Sequence, residues 1–115
     1  MVRYSMSKDS TPSHYIKQWR KHRGLSLRRL AERMEVQPGE ELISAMSLSR
    51  IERGEQPYSE PVLEALALAL DTPRWSLLSV NPETESDVVD LMGVIRKMDA
   101  AQRERALRIV KAANE

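Results

Sequence analysis

The residues best suited to recognition chemistry lie in one short stretch, "SAMSLSRIER" at 44–53. A helix turns about 100° per residue, which puts Met46, Ser49, Arg50 and Arg53 on one side of this stretch. Ser44, Ser47, Leu48 and Ile51 fall on the other side, flanked by Ala45 and Glu52. The second set is small or aliphatic, as packing requires. The first set offers a long apolar chain, a hydroxyl and two guanidinium forks. A guanidinium donates parallel hydrogen bonds and so suits a base edge or a phosphate, while Met and Ser suit a thymine methyl or a phosphate oxygen. The plainer alternative is that Arg50 and Arg53 solvate an exposed helix and pair with Glu52 and Glu55.

Other chemistries find little support. The chain has no Cys, which excludes disulfides and thiolate metal sites and fits a reducing cytosol. His14 and His22 are too few to favour a metal site and read as two surface histidines. No Ser-His-Asp set or glycine-rich phosphate loop is present, so no enzyme, metal or cofactor is expected. No apolar run approaches the length of a membrane span, and the polar N-terminus has no secretory core, so the expected location is cytoplasmic. Phe is absent, so the core must be built from Leu, Ile, Val, Met and Ala.

The net charge of +1 conceals an asymmetry. Residues 1–33 carry nine Lys/Arg against two acids, whereas 34–70 carry two Arg against seven Glu. A basic N-terminal third suggests a polyanion-facing surface, although a solvated helix face would look the same.

The elements that would hold the 44–53 helix can be read from caps and periodicity. Residues 1–12 are polar and aperiodic, a flexible arm. Ser13 can cap a helix at about 14–23 with Tyr15, Ile16 and Trp19 inward and Gly24 as its stop. Ser26 caps a second helix with Leu27, Leu30, Ala31 and Met34 on its buried face and Arg28, Arg29 and Arg33 away from it. Pro38-Gly39 marks a turn, and Gly54 stops the third helix. Ser59 caps a fourth helix, with Pro61 in its first turn and an apolar face of Val62, Leu63, Leu66, Ala67 and Leu70. Asp71-Thr72-Pro73 opens a fifth, "RWSLLS". After the linker "VNPETES" comes a helix with Val88, Leu91, Met92, Ile95 and Met98 at helical spacing. Asp99 caps a last one with Ala106, Leu107, Val110 and Ala113 inward. The chain reads as all-α: five short helices to about 80, then a helical hairpin at 86–113.

The order of these signals resembles the lambda-repressor/Cro-like helix-turn-helix family, also called the xenobiotic-response-element family. The resemblance runs from about Ile16 to Leu78 and rests on Ile16 with Arg20, Gly24-Leu25-Ser26, Leu30-Ala31, Val36, "LSRIERG" at 48–54 and the Leu/Ala-rich fourth helix. It implies a five-helix repressor-like domain at 13–80; the C-terminal helical extension at 81–115 lies outside the resemblance. The second helix would cross a DNA backbone and the third would enter the major groove. Carried over residue by residue, the base contacts are Ala45, Met46 and Arg50, which Ser49 joins from the wheel. The backbone contacts are Ser26, Ser44 and Arg53. An ion pair of the family, tying the first helix to the third, maps onto Arg20 and Glu52.

The chain departs from the family pattern in three places. Leu27 stands where a phosphate-binding Gln is common, so that contact is lost or moves to Arg28 or Arg29. Glu55 stands where a cation is common. About seven extra residues, "QPGEELI" at 37–43, lengthen the approach to the third helix. A break near Ser44 is expected, with Glu40 and Glu41 held away from phosphates.

These features point to a sequence-specific regulator of the repressor type that binds double-stranded DNA. The alternative is a protein-interaction module, antitoxin-like or adapter-like, with a protein partner at the 37–43 insertion. The C-terminal helices suit a homodimer, a dimerisation element that pairs two half-sites, or packing on their own domain.

Overall fold

The computed structural model describes residues 12–114; the expected arm at 1–12 lies outside these residues apart from Pro12. Seven helices and no strand are found among the described residues. They are α1 (Ile16–His22), α2 (Leu27–Arg33), α3 (Ala45–Glu52), α4 (Glu60–Ala69), α5 (Arg74–Ser79), α6 (Ser86–Arg96) and α7 (Ala100–Ala113). The chain divides into two compact units, one ending at Thr84 and one starting at Glu85.

Local chemistry accounts for most of the helix ends in the first unit. The hydroxyls of Ser26, Ser44 and Ser59 accept hydrogen bonds from the backbone N–H groups of Arg29, Ser47 and Val62, so each satisfies a first-turn donor. At the C-terminus of α1, Leu25 N donates to Arg20 O and Gly24 N to Lys21 O. The same paired closure ends α3, through Glu55 N to Arg50 O and Gly54 N to Ile51 O. It requires a left-handed residue, and Gly24 (φ 71°) and Gly54 (φ 77°) supply it without a Cβ penalty. The end of α4 uses the same closure, but the left-handed position there is Asp71 (φ 53°).

The first helix differs from its sequence expectation. It begins at Ile16, not 14, and Ser13 does not cap it; the N-cap is Tyr15, whose side chain makes no cap bond. Tyr15 N instead donates to Leu77 O at 2.7 Å, which ties the start of α1 to α5.

The core of the first unit is aliphatic around one indole. Ile16, Trp19, Leu30, Leu48, Leu66, Leu70 and Leu77 are fully buried. Trp19 Nε1 donates to Ser76 O at 3.1 Å and Val80 O at 2.9 Å, so its polar edge joins α1 to the middle of α5 and to the residue that caps its C-terminus. Helix α2 packs on α3, α4 on α5, and α1 on α5.

The 34–44 connection between α2 and α3 is a tight, self-bonded turn. Val36 N donates to Glu40 O and Glu40 N to Gln37 O, with Gly39 (φ 84°) at the bend. Two acids help build it: Glu35 Oε1 accepts from Gly39 N, and Glu40 Oε1 accepts from Gln37 Nε2. Helix α3 starts only after Ser44, so Leu42 and Ile43 are not part of it.

In the second unit a capping box starts α7: Gln102 N donates to Asp99 Oδ1, and Asp99 N donates to the Gln102 side chain. Neither α6 nor α7 buries a residue. The expectation that Leu107, Val110 and Ala113 turn inward is not met: Leu107 and Val110 are each 53% exposed, and Ala113 is exposed too. The spacing is helical, but among the described residues of this unit that face stays exposed.

Candidate nucleic-acid interface

Helix α3 is held firmly on one side. Leu48 and Ile51 are buried, and Glu52 is 5% exposed despite its charge. Arg20 of α1 compensates that charge with a two-pronged contact: Nε donates to Glu52 Oε2 at 2.6 Å and Nη2 to Oε1 at 3.0 Å. Arg20 Nη1 also donates to Leu25 O at 2.9 Å. The pair therefore fixes the last turn of α3 against α1 and the turn after it.

A second bolt comes from a residue misread in the sequence. His14 is buried, not a surface histidine. Its Nε2 lies 3.1 Å from Ile51 O, its Nδ1 accepts from Ile16 N at 3.5 Å, and its ring meets Tyr58 edge-on. This arrangement suits a neutral ring that carries its proton on Nε2. Burial lowers the His14 pKa from its usual 6.5, against the raising effects of the Ile51 carbonyl and the Glu52 charge. The folded protein thus takes up this proton at lower pH than the unfolded chain. Its contribution is complete above about pH 6.5 and is lost as pH falls from there toward the folded-state pKa. His14→Gln should therefore reduce the drop in Tm between about pH 7.5 and pH 5.5, measured by thermal melts. An unchanged drop would mean that His14 does not titrate with folding.

The opposite side of α3 is open. Met46 is 65% exposed and Arg50 is also exposed. Arg50 Nη2 donates to Met46 Sδ at 3.2 Å, a weak acceptor that a stronger one would readily displace. Ala45 and Ser49 are half-buried at the edges of this surface. Arg53 is exposed but engaged: it contacts Glu55 at 3.0 and 3.1 Å and donates to Ser49 Oγ. The hydrogen bond from Arg53 holds the Glu55 carboxyl below the usual carboxylate range. The self-pairing anticipated for this helix thus applies to Arg53, not to Arg50.

The basic N-terminal third is divided by the fold. Arg28 is exposed on α2, and Arg29 is exposed beside Glu32 at 3.7 Å. Arg23 instead donates to Leu70 O at 2.7 Å and Asp71 O at 3.0 Å and lies over the Trp19 ring. Arg33 donates to Ala69 O at 3.3 Å. These two cations serve the carbonyl end of α4, where the helix dipole also favours positive charge. Sequence reading missed both roles, because their partners are backbone carbonyls 36 to 48 residues away.

The geometry is that of two packed helices in which the second shows a clean outer face beyond a capped N-terminus. A family profile described as a helix-turn-helix domain matches residues 13–75. The chain belongs to the helix-turn-helix family. No curated protein and no solved structure matches it. The matched residues span α1 to α4 and the start of α5, and so include the packed pair α2 and α3 with the 34–44 connection between them. DNA is the partner that such a domain implies. No described helix is long and apolar enough to cross a membrane.

Proposed function

We propose that this protein is a sequence-specific transcriptional regulator of the lambda-repressor/Cro-like type, a cytoplasmic homodimer that acts as a repressor by occupying double-stranded DNA. The observation that carries the reading is the division of α3: Leu48, Ile51 and Glu52 are locked inward, while Met46 and Arg50 stand open on the other side. In this reading Met46 and Arg50 face base edges in the major groove, with Ala45 and Ser49 beside them. Arg28 and Arg29 meet phosphates, as do the capped helix starts at Ser26 and Ser44, whose first-turn N–H groups favour anions. Arg53 reaches a phosphate by giving up Glu55, which the DNA would repel.

The test is a binding comparison on the selected operator and on scrambled duplex. Arg50→Ala should weaken operator binding by about 1–3 kcal/mol and relax the preference at one base position. Arg28→Ala should weaken both duplexes alike and reduce the salt slope by about one. An equal loss on both duplexes for Arg50→Ala would make it a phosphate contact.

A second reading, a protein-interaction module, draws on the 34–44 turn, where Val36 is 62% exposed within an acidic segment. A stable hetero-complex without salt-dependent DNA binding would favour it.

A further inference from the structure

The guanidinium of Arg53 is exposed, yet the protein itself engages all three of its nitrogens. Nε donates to Glu55 Oε2 at 3.0 Å and Nη2 to Glu55 Oε1 at 3.1 Å, while Nη1 donates to Ser49 Oγ. The carboxylate thus takes two prongs of the fork, as a phosphate does in a bidentate contact. By comparison, Arg29 reaches Glu32 at 3.7 Å, and Arg74 reaches Glu60 with Nη1 at 3.0 Å.

The close of α3 holds the arrangement. Gly54 is left-handed (φ 77°), and Glu55 N donates to Arg50 O at 2.8 Å. Arg53 N donates to Ser49 O at 3.1 Å. The backbones of both partners are therefore tied to the last turn of α3 before their side chains meet. Such a pair gives up less conformational freedom than one on a loose loop, and its two-pronged geometry sets it apart from an ordinary surface ion pair. The hydrogen bond from Arg53 also lowers the Glu55 pKa, so the carboxylate stays ionised and the pair stays closed at neutral pH.

We propose that Glu55 is an internal stand-in for a DNA phosphate, which occupies Arg53 in the free protein and so limits how tightly the protein holds duplex DNA. The inference rests on the DNA-binding reading above. A phosphate that takes Arg53 must displace the carboxylate, and the displaced carboxylate remains nearby with like charge. Both effects weaken the contact, and both are the same on every sequence, because a phosphate carries no base identity. Glu55 therefore lowers operator and non-specific affinity by a common factor and leaves base preference to Met46 and Arg50. Non-specific binding comes almost entirely from backbone contacts, so a brake on one of them shortens the protein's stay on DNA that lacks its site.

The test needs no operator. Binding of the full chain to a fluorescently labelled duplex of arbitrary sequence is measured by anisotropy across a salt series. The proteins are the wild type, Glu55→Gln, Arg53→Met and the double variant. Gln keeps the size of Glu but has one acceptor oxygen and no charge, so it cannot hold both prongs. At a salt concentration where all four proteins bind, Glu55→Gln should bind about three- to tenfold more tightly than the wild type. Its salt slope should be steeper by up to about one. In the Arg53→Met background the same change should gain less than about twofold. Circular dichroism melts check that each variant is folded. An equal gain in both backgrounds would overturn the proposal, because Glu55 would then act only as a diffuse repulsive charge. Unchanged affinity of Glu55→Gln beside clear salt-dependent binding would overturn it too, and would leave the DNA-binding reading intact. Absence of binding by every variant at low salt would overturn that reading and the proposal with it.

Discussion

Glu52→Ala is expected to destabilise the first unit by about 3 kcal/mol or more, one of the largest single effects in the chain. The carboxylate is 4% exposed and Arg20 opposite it is 12% exposed, so solvent replaces little of what the mutation removes. Arg20 would keep only its bond to Leu25 O, and its charge would remain largely buried without a counter-charge. The cost therefore comes mainly from the guanidinium left behind. This makes a second result diagnostic: Arg20→Met with Glu52→Leu should fall within about 1 kcal/mol of wild type, or exceed it. Urea unfolding monitored by circular dichroism measures both. A loss below about 1 kcal/mol for Glu52→Ala would mean that the pair behaves as a surface ion pair. The consequence extends to recognition, because the pair fixes the last turn of the helix that carries Arg50. In the apolar double variant, stability and DNA affinity should separate: a stable fold with weakened operator binding would show that the ion pair sets the pose of α3.

Trp19→Ala should cost about 3–5 kcal/mol, the loss expected when a large buried ring is removed and its cavity only partly collapses. Trp19 is fully buried and lies between α1 and α5. Trp19→Phe separates its two contributions. It keeps much of the ring but removes the indole N–H, leaving Ser76 O and Val80 O without that donor, at a cost of about 1–3 kcal/mol. If Phe and Ala cost the same, the hydrogen bonds would dominate; if Phe were neutral, packing would. Trp19→Ala should also remove the ring over which Arg23 stacks while it holds the end of α4.

What could be read in the sequence and what could not follows from the range of each interaction. Caps were legible because a cap needs only its own residue type a few positions from its donor: Ser26, Ser59 and Asp99 all bond as their spacing suggests. The core residues Ile16, Leu30, Leu48, Leu66 and Leu70 were legible because periodicity marks a buried face without naming its partner. His14 was not, because nothing local distinguishes a solvated histidine from one facing Ile51 O across 37 residues. Arg23 and Arg33 were counted with the polyanion-facing cations for the same reason, since the carbonyls they serve lie on α4. The start of α1 was misplaced because Tyr15 N is taken by Leu77 O, a tertiary bond that outweighs a serine at position 13. On α3 the wheel separated inner from outer residues correctly, but only the fold shows that Arg53 is occupied by Glu55 while Arg50 meets no more than a thioether.

The central claim is that the outer face of α3 reads double-stranded DNA. Selection of bound fragments from a random duplex pool by the full chain tests it most directly. The account predicts enrichment of an inverted repeat whose half-sites lie about one helical turn apart, with one position losing its preference in Arg50→Ala. A pool that stays unenriched through successive rounds at low salt would contradict it.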